Sequence, residues 1–86
     1  MMKEYVIDCG RIEGPREFHF VLAKQLRFPG WYGNNLDALY DCLTDIQEDT
    51  RLILTGFSSL PGFARGFQTV FADAAGKNPH FQVIFA

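Results

Sequence analysis

Three short apolar runs, separated by long segments with helical periodicity, place the strongest constraint on how this chain folds. The runs are YVIDC (Tyr5 to Cys9), RLILT (Arg51 to Thr55) and FQVIF (Phe81 to Phe85). Their β-branched and aromatic residues predict buried strands. Because no two runs are close enough for a tight hairpin, we expect parallel pairing. The pattern predicts an α/β fold, with helices packed on a three-stranded parallel sheet in the order β-α-α-β-α-β.

The segment between the first two runs predicts two helices. Pro15 suits the first position of a helix, and the tripeptide Phe28-Pro29-Gly30 ends that helix. Asn34 or Asn35 is expected to cap the second helix. The predicted apolar faces consist of Phe18, Val21, Leu22 and Leu26 in the first helix, and of Leu36, Leu39, Tyr40, Leu43 and Ile46 in the second.

The segment between the last two runs predicts a third helix. Ser58 and Ser59 are candidate caps at its beginning, and Gly76 and Pro79 mark its end. Its predicted apolar face consists of Phe63, Phe67, Val70, Phe71 and Ala74. A chain of 86 residues is long enough for one domain and too short for two. We therefore expect residues 1–86 to form a single domain.

Composition limits the location and the chemistry that we expect. The opening residues MMKEYVIDCG lack the apolar core of a secretory signal, and no run approaches the ~18 to 20 apolar residues of a membrane span. These features predict a cytoplasmic protein with no membrane partner. The two cysteines, Cys9 and Cys42, are expected to be reduced and buried. Together with two widely spaced histidines they form no metal-ligand pattern, so we expect no metal and no cofactor.

Negative charge is concentrated in one segment of the sequence. Residues 28–50 contain five acids and no base, whereas the rest of the chain contains five acids and eight bases. Asp37, Asp41 and Asp45 are spaced four apart, so they share one side of the second helix. Like charges at this spacing destabilise a helix by roughly 0.2 to 0.5 kcal/mol per pair. A solvated helix face is the simplest interpretation, but a cationic partner would explain why the cost is tolerated.

No catalytic constellation accompanies these acids. Carboxylates on successive turns of one helix are wrongly arranged to flank a scissile bond, and neither a nucleophile with its base nor a phosphate-binding loop is present. His19 and His80 are expected to be structural or exposed. The sequence thus predicts a protein that is not an enzyme, with a divalent-metal carboxylate enzyme as a weaker alternative. Direct binding of nucleic acid is not expected, because that function requires a basic stripe.

The stretch WYGNNLDALYDCLTD, residues 31–45, resembles the signature of the barstar family, the intracellular inhibitors of barnase-type bacterial ribonucleases. That signature reads aromatic pair, Gly, any residue, Asn-Leu-Asp-Ala-Leu, aromatic, Asp-Cys-Leu-Thr. The stretch VFADA at residues 70–74 extends the resemblance. The resemblance implies a parallel three-stranded sheet with packed helices. It also implies a stoichiometric inhibitor whose acidic helix and preceding loop fill the active site of a ribonuclease, with carboxylates in place of RNA phosphates.

The resemblance further implies roles for individual residues. Asp41 would enter the phosphate pocket, Asp37 and Asp73 would each meet an arginine of the enzyme, Trp31 would pack near the catalytic histidine, and Thr44 would contact the rim. The full set of expected partner-binding residues is Trp31, Gly33, Asn35, Asp37, Tyr40, Asp41, Thr44, Asp45 and Asp73. From the residues alone, Tyr40 is expected in the core, and Trp31 either anchors an interface or covers the core. The implied partner is a basic, extracellular-type bacterial ribonuclease in a 1:1 complex with an inhibitor that is monomeric when free.

The sequence departs from the family pattern at one of these positions, Asp45, and at two others, Ile46 and Lys77. Asp45 stands where the family has a glycine, Ile46 where it has a tryptophan, and Lys77 where it has another acid. The partner would therefore be a different member of the cationic microbial ribonucleases. The alternative is a module of the same fold that binds another basic protein, such as a toxin domain of unrelated activity.

Overall fold

The computed structural model describes residues 1–86, which form three strands and three α-helices. In chain order these are β1 (Lys3–Asp8), α1 (Pro15–Leu26), α2 (Leu36–Thr44), β2 (Thr50–Thr55), α3 (Ala64–Lys77) and β3 (Phe81–Phe85), with 3-10 helices at Cys9–Arg11 and Phe57–Ser59. The predicted fold class and the predicted order of strands and α-helices are confirmed.

The three strands form one parallel sheet in the order β1-β2-β3. In its register, Tyr5 lies opposite Leu52, and Leu52 lies opposite Val83. Helices α1 and α2 connect β1 to β2, and α3 connects β2 to β3. These connections allow parallel pairing, because a parallel pair needs a long crossover rather than a tight turn.

The helices cover one face of the sheet. Thr50, Leu52 and Leu54 alternate as the buried residues of β2, as expected for a strand with one face in the core. On the opposite face, Arg51 donates to Gln82 Oε1 at 3.2 Å and to Glu4 Oε2 at 2.6 Å. This face of the sheet is open, and the three helices lie on the other side.

Phenylalanine rings fill much of the space between the helices and the sheet. Phe18 of α1 stacks on Phe67 of α3 with 4.6 Å between ring centroids, and Phe57 meets Phe85 edge-on at 4.9 Å. Phe71 lies against Phe18 at 6.0 Å. Such aromatic pairs add attraction beyond the burial of their area. They fix the helices on a small sheet.

Several element boundaries differ from the prediction, among them the end of β1 and the beginning of α3. β1 ends at Asp8, and Cys9 begins a 3-10 helix in which Asp8 Oδ1 accepts the N–H of Gly10 at 3.0 Å. Ser59 does not cap α3. Its hydroxyl donates to the carbonyl of Gly56 at 2.7 Å, and the helix begins five residues later, at Ala64. In both cases a side chain closes a local turn before the next regular element begins.

Candidate functional site

Helix α2 is capped at its first turn by Asn35, one of the two predicted caps. The side-chain oxygen of Asn35 accepts the N–H of Ala38 at 2.8 Å, which satisfies one of the free N–H groups at the beginning of the helix. Its amide nitrogen donates to the carbonyl of Gly33 at 3.3 Å. Asn34 precedes the cap with a left-handed φ of 54°, a conformation that asparagine tolerates better than most residues. The side chain of Asn35 thus shapes the beginning of α2.

The acids of α2 lie on the side of the helix that faces away from the core. Asp37, Asp41 and Asp45 are exposed, and steps of four residues place them about 6 Å apart along the axis. The buried residues of α2 are Leu39, Cys42 and Leu43. Asp45 is the last of the three acids and ends the helix, where its N–H donates to the carbonyl of Asp41. We call these three aspartates the acidic face.

The chain supplies partners to the other acids of the same segment but not to the acidic face. Glu48 pairs with Lys3 at 2.5 Å, and Asp49 lies 2.9 Å from Nδ1 of His80. No ion pair of the structure includes a residue of the acidic face or Asp73. Two of the five acids thus have partners that lie far away in the sequence, since the parallel register brings Lys3 of β1 and His80, in the turn before β3, to the end of the segment.

Both cysteines are free and buried, as expected. Burial raises the pKa of the Cys42 thiol, and the negative charges of Asp45 and Asp41 raise it further. Burial and the charge of Asp8 raise the pKa of Cys9 to about 11. These thiols are thus neutral core groups near pH 7, which excludes them as activated nucleophiles.

The loop before α2 presents Trp31 to solvent. The Trp31 side chain is 64% exposed, so it does not cover the core, and the alternative of an interface anchor stays a prediction. Its neighbour Tyr32 points inward and packs on the core. The Tyr32 hydroxyl lies 2.6 Å from Nδ1 of His19. The loop thus has one partly buried aromatic, Tyr32, that fixes it and one exposed aromatic, Trp31, that is free for contact.

His19 lies beneath this loop in the protein interior and contacts it through Tyr32. It is only 5% exposed on α1, and its ring lies 4.7 Å from the ring of Phe67 on α3. Burial lowers the pKa of His19. The expectation of a structural or exposed histidine is met in its structural form, but the link to Tyr32 was missed. No pattern in the sequence predicts this contact, because His19 and Tyr32 are thirteen residues apart, one in α1 and the other in the loop before α2.

Two of the expected contact residues are largely engaged within the protein. Tyr40 is half-buried and packs on the core, in agreement with its sequence-based expectation. The Thr44 hydroxyl lies 2.9 Å from the carbonyl of Tyr40 and 3.1 Å from that of Asp41, and donates within its own helix. Both lie beside the acidic face. The aspartates, not these two residues, supply its free polar groups.

Helix α3 places Asp73 on its α2 side. A Cβ added to Gly66 of α3 would come within 2.8 Å of Cδ1 of Leu36, so the two helices approach closely near their first turns. Asp73 follows Gly66 by seven residues and lies about 20° from it around the helix. Asp73 is exposed. The expected site residues thus lie on one loop and on two neighbouring helices.

The described residues contain no group of three or more His, Cys, Asp or Glu side chains that could hold a metal ion. No helix is both long and apolar enough to cross a membrane. The exposed groups of the candidate site are its carboxylates and Trp31. Its polar chemistry is that of hydrogen-bond acceptors, which suits arginine, lysine or protonated histidine on a partner.

Comparisons with known proteins identify the family of the chain. The sequence profile of a family described as "Barstar (barnase inhibitor)" matches residues 2–86. A protein of Bacillus subtilis (strain 168), named "Putative ribonuclease inhibitor YrdF", is 37% identical over 73 residues, which cover 84% of this chain and 76% of the relative. The match extends over nearly the whole chain and is accompanied by the expected fold. The chain belongs to the Barstar family.

Proposed function

We propose that the protein is a stoichiometric inhibitor that blocks the active site of a cationic, barnase-type microbial ribonuclease in a 1:1 complex. The observation that carries the proposal is the acidic face itself. Three exposed carboxylates on one helix have no ion-pair partner within the chain, whereas Glu48 pairs with Lys3 and Asp49 contacts His80. A cationic partner supplies the attraction that the fold leaves out.

The chemistry of the acidic face suits a site that binds RNA. A ribonuclease stabilises phosphate charge with fixed cations and hydrogen-bond donors. A carboxylate accepts the same bonds, including the two parallel bonds of an arginine. Carboxylates about 6 Å apart along a rigid helix contact several such cations at once. The acidic face therefore takes the place of RNA phosphates and excludes the substrate.

We assign the residues of the site different contributions. Asp41, the middle residue of the acidic face, enters the phosphate pocket, with Asp37 and Asp45 on either side. Trp31 packs against the enzyme, because a large exposed aromatic beside a charged patch suits an interface anchor. Asp73 adds a carboxylate from α3. Gly33, Asn35, Tyr40 and Thr44 shape and border this surface.

Family membership supports the class of partner. The family is described by inhibition of barnase, and the Bacillus subtilis relative carries the name of a ribonuclease inhibitor. The departures at Asp45, Ile46 and Lys77 alter the edge of the proposed surface. We therefore propose that the partner differs from barnase in the residues that meet this edge.

The test is a titration of ribonuclease activity. Barnase and several related cationic microbial ribonucleases are each mixed with increasing amounts of the protein, and RNA cleavage is followed. We expect at least one enzyme to lose activity with an equivalence point at one inhibitor per enzyme. No inhibition of any enzyme at micromolar concentration would contradict the proposal and favour a module that binds another basic protein.

A pair of charge variants tests the acidic face. Replacing Asp37, Asp41 and Asp45 together with asparagine retains their size and removes three charges, so inhibition should be lost. The matched control replaces Glu48 with glutamine and Asp49 with asparagine, the two acids that have partners within the chain. This control should inhibit nearly as well as the original protein. Equal loss in both variants would assign inhibition to net charge and not to the acidic face.

A further inference from the structure

We propose that Asn78 is a positioning residue for the acidic face: its buried side-chain amide holds the end of α2 in place without adding a positive charge there. The inference rests on the proposed function, because it concerns the same face of α2. Asn78 lies outside α2, directly after α3. It is one of three buried polar residues in the protein.

The Asn78 amide reaches the last turn of α2. Its Nδ2 lies 2.9 Å from the carbonyl oxygen of Leu43, 3.3 Å from that of Thr44 and 2.9 Å from that of Ile46. Carbonyls at the end of a helix have no partner within the helix. Two N–H groups serve three oxygens, so one of the bonds is shared. Asn78 thus acts as a cap supplied from another part of the chain.

The position of Asn78 is itself fixed. Its Oδ1 accepts the N–H of His80 at 2.9 Å. Its backbone N–H donates to Ala74 at 2.8 Å, and its carbonyl accepts the N–H of Phe81 at 3.0 Å. The opposite orientation of the amide would direct Oδ1 at three carbonyl oxygens. The side chain therefore joins α2 to the junction between α3 and β3 in one orientation.

An uncharged cap has a specific advantage at this place. The end of a helix carries partial negative charge and favours Lys or Arg, yet the last turn of α2 contains no basic residue. A cation there would lie close to Asp41 and Asp45. It would weaken the negative potential that attracts a cationic partner. The amide of Asn78 supplies donors to the carbonyls and leaves the charge of the acidic face unchanged.

Removal of this amide should loosen the turn that carries the acids. The N–H of Asp45 donates to the carbonyl of Asp41 at 3.0 Å, so this bond reports on the same turn. Without Asn78, the carbonyls of Leu43 and Ile46 would turn toward water, and the turn would open more often. Asp41 and Asp45 would then be presented to the partner in several arrangements instead of one.

Amide hydrogen exchange of the free protein tests this step without any ribonuclease. In Asn78→Ala, the Asp45 amide should exchange at least about tenfold faster. The reference is the Phe28 amide, which bonds to Ala23 at the end of α1 and should keep its rate. Asn78→Ser keeps an uncharged oxygen that can accept the N–H of His80 but lacks the amide donors to α2. It should give the same faster exchange at Asp45, and it replaces the alanine variant if that variant does not fold. Unchanged exchange at Asp45, or an equal increase at Phe28, would overturn the proposal.

Inhibition of the ribonuclease tests the second step. Asn78→Ala should raise the inhibition constant about tenfold or more in the original protein, and less than about threefold in an Asp41→Ala background, because contacts that are coupled are not additive. The same fold-change in both backgrounds would contradict a role through Asp41. Since the exchange experiment needs no partner, failure of the proposed function and failure of this inference give different results.

Discussion

Asp41 and Asp49 are both exposed acids of one segment, but only Asp49 has a partner within the chain. Asp41→Ala should weaken inhibition by about 2 to 5 kcal/mol, because it leaves cations of the ribonuclease buried and unpaired. By the usual conversion this is roughly 30-fold or more. Asp49→Ala should change inhibition by less than about threefold.

The measurement is the inhibition constant of each variant against the same ribonuclease. Thermal unfolding of both variants serves as the control, since neither carboxylate is buried and both proteins should stay folded. Comparable losses of inhibition in the two variants would show that the partner does not distinguish a paired acid from an unpaired one.

His19 makes stability depend on pH. Burial lowers the pKa of His19 in the folded protein, while the unfolded chain titrates near pH 6.5. The unfolded state therefore binds more protons below about pH 6.5. The contribution of neutral His19 to the free energy of unfolding is fully present above about pH 6.5. It is lost as the pH falls through the lower pKa of the folded state. We expect the free energy of unfolding to decrease between about pH 7.5 and 5.

Denaturant unfolding of His19→Gln should show a smaller decrease over the same range. Tyr32 faces His19 and does not titrate there, because burial raises the pKa of its hydroxyl well above the usual range. Lys3 lowers the pKa of Glu48, so that carboxylate loses its contribution only at more acidic pH. His80→Gln is the control and should retain the decrease, since His80 is exposed. If the free energy of unfolding of His19→Gln decreases as much as that of the original protein, the pH dependence does not come from His19.

At the scale of elements, the contact between α2 and α3 is set by the absence of a side chain. A Cβ added to Gly66 would lie only 2.8 Å from Cδ1 of Leu36, which is closer than Cβ atoms come to other atoms in proteins. Gly76 lies in the same helix, and a Cβ there would meet nothing within 4 Å. The two glycines thus form a matched pair for one substitution.

Gly76→Ala should stabilise the protein by about 0.5 to 1 kcal/mol, because alanine favours the helix. Gly66→Ala gains the same propensity but forces the packed side chain of Leu36 to shift, so the variant should be less stable than Gly76→Ala by about 1 kcal/mol or more. Chemical denaturation of both variants measures the difference. Equal gains would show that the Leu36 side chain moves aside at little cost.

At the scale of the whole molecule, the formal net charge is only −2, yet three unpaired carboxylates share one helix. Opposite potentials accelerate the encounter of two proteins, and salt screens them with a length of about 10 Å at 0.1 M. The association rate with a cationic ribonuclease should therefore fall steeply as salt is raised. The dissociation rate should change much less.

Stopped-flow fluorescence of Trp31 provides the measurement, since it is the only tryptophan in the chain and is largely exposed. The Asp37→Asn, Asp45→Asn double variant should show a shallower dependence on salt. The Glu48→Gln, Asp49→Asn double variant has the same net charge and should resemble the original protein more closely. An association rate independent of salt would exclude electrostatic steering.

The sequence by itself determined the elements and the location of the acids. The spacing of Leu36, Leu39 and Leu43 predicts the buried side of α2, and the four-residue steps of the aspartates predict the opposite side. The apolar run FQVIF predicts β3 with the bounds that the structure shows. These features depend on neighbours within one or two turns, or on alternation along one strand, so local periodicity is enough to predict them.

Only the tertiary structure decided which acids are free. Lys3 and Glu48 are 45 residues apart, and Asp49 and His80 are 31 apart, so the pairings depend on the parallel register of the strands. The link between His19 and Tyr32 and the cap that Asn78 gives to α2 have the same origin. Contacts between distant segments follow from how the elements pack together, and no local pattern in the sequence specifies them.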